Sequence, residues 1–216
     1  MQLKFRQGLV GAVFFLLLPL IVSGLSFNVA FARITEELPA AWAALHLPFQ
    51  ESTMQRLRQG ETYAKASLED AGKEQKRFSF AAAGWHAQDC ATALPRLTAY
   101  ENYHRYLPFV EQSTYQDATQ TIDLLFKVWI IPFSLRLHFQ IPRMKQAGSY
   151  PFTFKEGFLP DLKGTVKVQD VENRCLILIT AHWQGKDPGF NPTLFEIFAQ
   201  TAAMQAMEKM LRVTRQ

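Results

Sequence analysis

The chain has 216 residues, of which 48% are hydrophobic and 19% charged, and 18 are Phe. That length allows one domain or two small ones, and the hydrophobic fraction excludes a disordered chain. A net charge of +4 is too mild for a nucleic-acid footprint unless the basic residues cluster, and two Cys cannot build a disulfide-dense scaffold.

The N-terminus is the most asymmetric part. Lys4 and Arg6 precede a stretch without charge from Gln7 to Ala32, with its apolar heart at Leu9–Ile21. A basic start, an apolar run and small residues at Ala30 and Ala32 match a secretory signal peptide over residues 1–32. The rival reading is an uncleaved membrane anchor, since about 20 apolar residues span a bilayer. Gly24 and the Ala-x-Ala pair favour cleavage. The expected product is an exported chain, periplasmic or secreted, that starts at Arg33, has net charge +2 and keeps 13 Phe.

Residues 33–60 read as a helical extension. Leu38, Trp42 and Leu45 are spaced for one short helix, and Glu51–Gln59 for another, closed by Gly60. Thr62–Leu68 and Lys76–His86 then read as a hairpin about the turn Asp70–Lys73. Asp89 is placed to N-cap a helix running through Tyr100, and Glu101–Tyr106 gives a further turn before Pro108. Beyond Pro108 the period falls from about 3.6 to about 2. Six strands are expected: Val110–Asp117, Gln120–Val128, Leu135–Lys145, Tyr150–Glu156, Leu162–Gln169 and Arg174–Trp183. Most are apolar on one face only, as in a half-buried antiparallel sheet. The last is apolar on both, so it needs cover on both sides. A final helix spans about Pro192 to Val213, with Leu194, Ile197, Phe198, Met204, Met207 and Leu211 as an apolar stripe. The fold class is α+β, a curved antiparallel sheet around a long C-terminal helix.

Between Ala93 and Ser113, Leu97, Tyr100, Tyr103, Pro108 and Ser113 stand in an order that resembles the START-like (SRPBCC) superfamily, of polyketide cyclase/dehydrase and coenzyme Q-binding type. Phe152, Phe154 and Gly157, followed by Leu162, Gly164 and Val166, are similar to two consecutive strands of that group. Leu57, Gly60 and Glu61 are similar to the lead-in of its exported members. Leu94 and Ala99 depart from the usual Trp and Asp. The resemblance covers about residues 57–213, with the START-like domain placed at 61–216. It implies a helix-grip fold with two short helices after the first strand, and an apolar cavity between sheet and C-terminal helix. It also implies that first and last strands pair. That would bring Cys90 and Cys175 together as a disulfide in an oxidising compartment; the alternative is two separate buried thiols.

The chain lacks serine-hydrolase, zinc-protease, Cys-x-x-Cys and phosphate-loop motifs, and its five His share no ligand spacing. No metal or cofactor is expected, and no catalytic residue is assigned. The ligand-lining candidates are Leu137, Phe139, Phe154, Val166, Phe198 and Met204, with His182 to orient a polar head group. Trp129, Ile131 and Phe133 flank Pro132 in a segment that is either a buried crossing or an apolar loop touching a membrane surface. Tyr100, Tyr103 and Tyr106 read as packing residues with wet hydroxyls, and Arg136 and His138 as solvated. The leading reading is a monomeric carrier of a lipid, isoprenoid or quinone-like molecule. A cyclase/dehydrase-type enzyme in the same cavity is the second, and an interaction module with a filled core the third. No nucleic-acid partner is expected.

Overall fold

The structure, a computed structural model, describes residues 50–127, 135–157, 159–189 and 191–213. The proposed signal, the helix expected before Pro48 with Trp42 and Leu45, and the segment holding Trp129, Ile131 and Phe133 lie outside the described residues.

Helix α1 (Glu51–Arg58) leads into strands β1 (Tyr63–Gly72) and β2 (Gln75–His86). Two short helices follow, α2 (Cys90–Leu97) and α3 (Tyr103–Tyr106), separated by a 3-10 turn at Tyr100–Asn102. Then come β3 (Val110–Gln116), β4 (Thr121–Phe126), β5 (Leu135–Gln140), β6 (Gly148–Glu156), β7 (Lys163–Val171), β8 (Arg174–Lys186) and helix α4 (Pro192–Val213).

The termini of the helices follow local chemistry. Asp89 caps α2 by accepting the Thr92 N–H at 2.8 Å. Asn191 caps α4 by accepting the Leu194 N–H at 3.1 Å, with Pro192 in the first helical position. The last turn of α1 is closed by Gly60 and Glu61 N–H groups bonding back to Leu57 and Arg56 carbonyls.

The eight strands among the described residues form one antiparallel sheet in the order β1-β2-β8-β7-β6-β5-β4-β3. The strand that pairs with the last one is therefore the second strand of the hairpin. The two short helices follow this strand, and β1 is an addition outside it. The loose alternation of Thr62–Leu68 concealed a full edge strand of ten residues.

Strand parity divides the sheet into two faces. One carries Phe78 and Ala82 of β2, Ile177, Ala181 and Trp183 of β8, Val166 and Val168 of β7, and Phe152 of β6, all buried. Helix α4 packs on this face, mainly against β1 and β2. Its approach is close because Gly84 has no side chain: a Cβ there would meet Leu211 at 2.5 Å and Met207 at 2.7 Å. Toward its N-terminal end α4 reaches the edge strand. Glu196 Oε1 accepts the Leu68 N–H at 2.6 Å, and Gln200 Nε2 donates to the Ala66 carbonyl at 3.2 Å. Two backbone groups of a strand with no neighbour on that side among the described residues are thereby satisfied.

On the opposite, convex face Ala83, Trp85, Leu176 and Leu178 are also buried. Helix α1 contacts β2 and buries Met54 and Leu57, which helps cover the doubly apolar strand β8. The stripe expected on α4 divides. Phe195, Met207 and Leu211 are buried, whereas Leu194 is 68% exposed, Ile197 57% and Met204 38%.

Candidate functional site

The concave face of β5 to β7 gathers an aromatic cluster. Strand register puts Phe139 opposite Phe154, Phe152 opposite Gly164, and Tyr150 opposite Val166. Phe139 and Phe154 stack with ring centroids 5.2 Å apart, and Phe152 meets both at 6.3 Å and 6.2 Å. Such ring pairs add about 0.5–1.5 kcal/mol each beyond their buried area. Leu137, Phe139, Tyr150 and Phe154 are half-buried and pack on the main core. Gly164 makes room for the cluster, because a Cβ there would lie 2.2 Å from Phe152 Cζ and 2.5 Å from the Thr180 carbonyl oxygen.

Four expected ligand residues, Leu137, Phe139, Phe154 and Val166, thus share one surface. The other three do not join them. His182 faces away: its neighbour Trp183 points inward, so strand alternation sends His182 to the convex face, where it is exposed. Met204 sits on the solvent side of α4, and Phe198 is half-buried on the same helix. The helix carries apolar residues on both sides, and Phe195, Met207 and Leu211 took the inward positions. An open hollow of about 480 Å³ lies elsewhere, at the Gly148 end of β6, between residues 147–149 and 167–170, and includes none of the expected ligand residues.

The residues behind the family resemblance form a brace at one end of the sheet. Tyr100 donates its hydroxyl to the Pro142 carbonyl at 3.0 Å, Tyr103 to Leu97 at 2.8 Å, and Tyr115 to Ile141 at 3.0 Å. Ser113 donates to the Tyr100 carbonyl. The hydroxyls of Tyr100 and Tyr103 are therefore bonded to backbone rather than wet. Burial pushes both far above the usual tyrosine range, and Tyr115 in the same direction. None is an acid–base group near neutral pH.

Arg143, which sequence reasoning missed, ties this brace together. It lies 4.4 Å over the Tyr115 ring, donates to the Thr98 carbonyl at 2.7 Å, and pairs with Asp117 and Glu101, both at 2.9 Å. Its hydrogen bonds hold the Asp117 carboxyl below the usual range. The only sequence hint was its place beyond the last alternating residue of β5. On the convex face His138 Nδ1 and Arg136 Nε lie 3.0 Å and 3.3 Å from Asp123. Among the described residues no three His, Cys, Asp or Glu side chains converge on one point.

Cys90 and Cys175 form a disulfide with Cα atoms 4.6 Å apart, closing 85 residues of chain. Both are buried, at 1% and 0% exposure. The disulfide forms where β2 and β8 run antiparallel to their ends, with His86 opposite Cys175 and Cys90 a few residues beyond His86.

No family profile matches the chain, and no curated protein matches it. Solved structures do. Over 64% of this chain and 94% of its own, the Zhui aromatase/cyclase from Streptomyces sp. R1128 superposes with a TM-score of 0.53 at 9% identity. TTHA0849 from Thermus thermophilus gives 0.53 at 12% identity, over 63% of this chain and 97% of its own. A conserved protein from Geobacillus kaustophilus gives 0.52 at 8% identity, over 63% and 95%. With its antiparallel sheet, paired short helices and long C-terminal helix, the chain shares the α+β helix-grip fold of these structures.

Proposed function

We propose that this chain is an exported START-like protein that holds one hydrophobic molecule, a lipid, isoprenoid or quinone-like compound, against the concave face of β5 to β7. The observation that carries this reading is the half-buried cluster of Leu137, Phe139, Tyr150 and Phe154 on the inner face of the sheet. A ligand covering about 300 Å² of apolar surface there gains about 7 kcal/mol gross at ~25 cal/mol per Å², from which association costs are subtracted. The hydroxyls of Tyr150 in the cluster and of Tyr100 and Tyr115 beside it donate to backbone carbonyls, so the surface offers apolar contact rather than acid–base chemistry. The buried Cys90–Cys175 disulfide supports the export reading, because such bonds persist in oxidising compartments. Native mass spectrometry of the protein recovered from the exported fraction tests both parts. The expected result is a chain starting at Arg33 with one apolar molecule bound. A protein that comes out empty from lipid-replete cells would contradict the carrier reading, and an intact Met1 the cleavage.

A further inference from the structure

The convex face of the sheet has two chemically different ends. Near Trp85 it is apolar, and Arg174 there stacks over the Trp85 ring at 4.5 Å. Toward the other end the outward positions of β1, β2, β8 and β7 hold Lys65, Arg77, Lys186, Lys163 and Lys167, with His182 among them. Glu69 is the single carboxylate on the outward positions of these four strands, and its Oε1 accepts the Ser67 hydroxyl. Among the described residues none of those five cations lies in an ion pair, and four of the five are exposed, Lys167 being half-buried. The contrast with the rest of the chain is large. Those five cations and Glu69 carry a net +4, against the +2 expected for residues 33–216, so the remainder is net negative at −2.

We infer that this face is a docking surface for an anionic phospholipid bilayer. Strand spacings of about 4.8 Å and rises of about 3.3 Å spread the five cations over about 14 Å by about 26 Å. Cations that are separated, unpaired and laid on an even sheet suit a diffuse two-dimensional array of phosphates. They do not build a pocket for one anion. Among the described residues this face has no exposed aromatic ring on which bases could stack, which disfavours single-stranded nucleic acid. The uncharged stretch at residues 7–32, as signal or as anchor, also brings the chain to a bilayer. This surface lies on the side of the sheet opposite the proposed ligand, so either assignment can fail without the other.

The test is co-sedimentation of the protein, as exported, with phosphatidylcholine vesicles with and without phosphatidylglycerol. The ratio of the two partition coefficients removes any contribution from apolar insertion. Each surface cation is worth about fivefold in partitioning onto an anionic membrane. Replacing Lys65, Arg77, Lys163, Lys167 and Lys186 by Gln is therefore expected to lower the ratio by about a hundredfold or more. A control variant with Gln at Arg105, Lys127, Lys145, Lys209 and Arg212 has the same net charge and is expected to lose less than tenfold. For the unmodified protein, salt that shortens the Debye length from about 10 Å to about 3 Å should abolish the preference for phosphatidylglycerol. Equal losses in the two variants, a salt-independent ratio, or binding to duplex DNA without binding to the anionic vesicles would each overturn the inference.

Discussion

Replacing Cys90 and Cys175 together by Ala tests how far this domain depends on its cross-link. The bond closes 85 residues of chain, nearly half of residues 33–216. On the chain-entropy model, tying that loop in the unfolded state contributes about 4.5 kcal/mol at 25 °C. Both side chains are buried, so removing the sulfurs also leaves a small void beside His86 and α2. A loss of about 4–5 kcal/mol is about a quarter or more of the stability of an ordinary domain. For a chain of this size it lowers Tm by about 9–18 °C. Urea unfolding of both proteins gives the free-energy difference from midpoint and slope. The slope should also rise in the variant, because an uncrosslinked chain exposes more surface. Reductant added to the native protein should act slowly, since neither sulfur is accessible. A difference below about 1 kcal/mol would refute the reasoning. Immediate alkylation of both thiols in the native, non-reduced protein would show that the bond does not exist.

Three further outcomes follow from the packing and the titrating groups. Gly164→Ala drives a methyl group into Phe152 and the Thr180 carbonyl; it should cost about 1–3 kcal/mol by thermal unfolding, and an unchanged Tm would mean the ring does not lie on Gly164. The carboxyls of Asp117 and Asp89 are held below 3.8, by the Arg143 hydrogen bond and by the Thr92 N–H respectively. Their contribution is therefore present above pH 3.8 and lost as pH falls through the lower folded values; Asp117→Asn with Asp89→Asn should flatten the acid limb of a stability–pH curve, and an unaltered limb would count against both contacts. Tyr100, Tyr103 and Tyr115 are raised above 10, so the folded state keeps their protons where the unfolded state loses them. Stability should fall above pH 10, and absorbance at 295 nm should show a delayed, cooperative fraction; six tyrosines titrating together below pH 11 would contradict the brace.

Much of the fold was legible in the sequence because alternation on β5 to β7 is strict enough to give both strand and facing. Leu137, Phe139, Phe154 and Val166 could be placed on one surface for that reason. Where both faces are apolar the pattern carries no direction. The run from Cys175 to Ile179 gives no parity, so it could not tell that His182 turns to the convex face. Helix α4 has no charge between Ile197 and Met207, so the sequence could not say that Phe195 turns inward and that Leu194, Ile197 and Met204 turn outward. Arg143 depended on contacts with residues 26 to 45 positions away, which no local pattern reports. The strand β1 was read as a hairpin arm, but not as an added edge, since edge position is a property of the assembled sheet. The Cys90–Cys175 pairing followed from the resemblance, because only a topology can say which strand ends meet.

The location of the ligand is the most direct test of the functional account. A photoactivatable fatty acid, irradiated on the purified protein and mapped by peptide mass spectrometry, reports the surface it occupies. Adducts are expected on peptides carrying Leu137, Phe139, Phe152 and Phe154, and are expected to be lost when Phe139 is replaced by Asp. Adducts confined to the outer side of α4, at Leu194, Ile197 and Met204, would contradict the functional account.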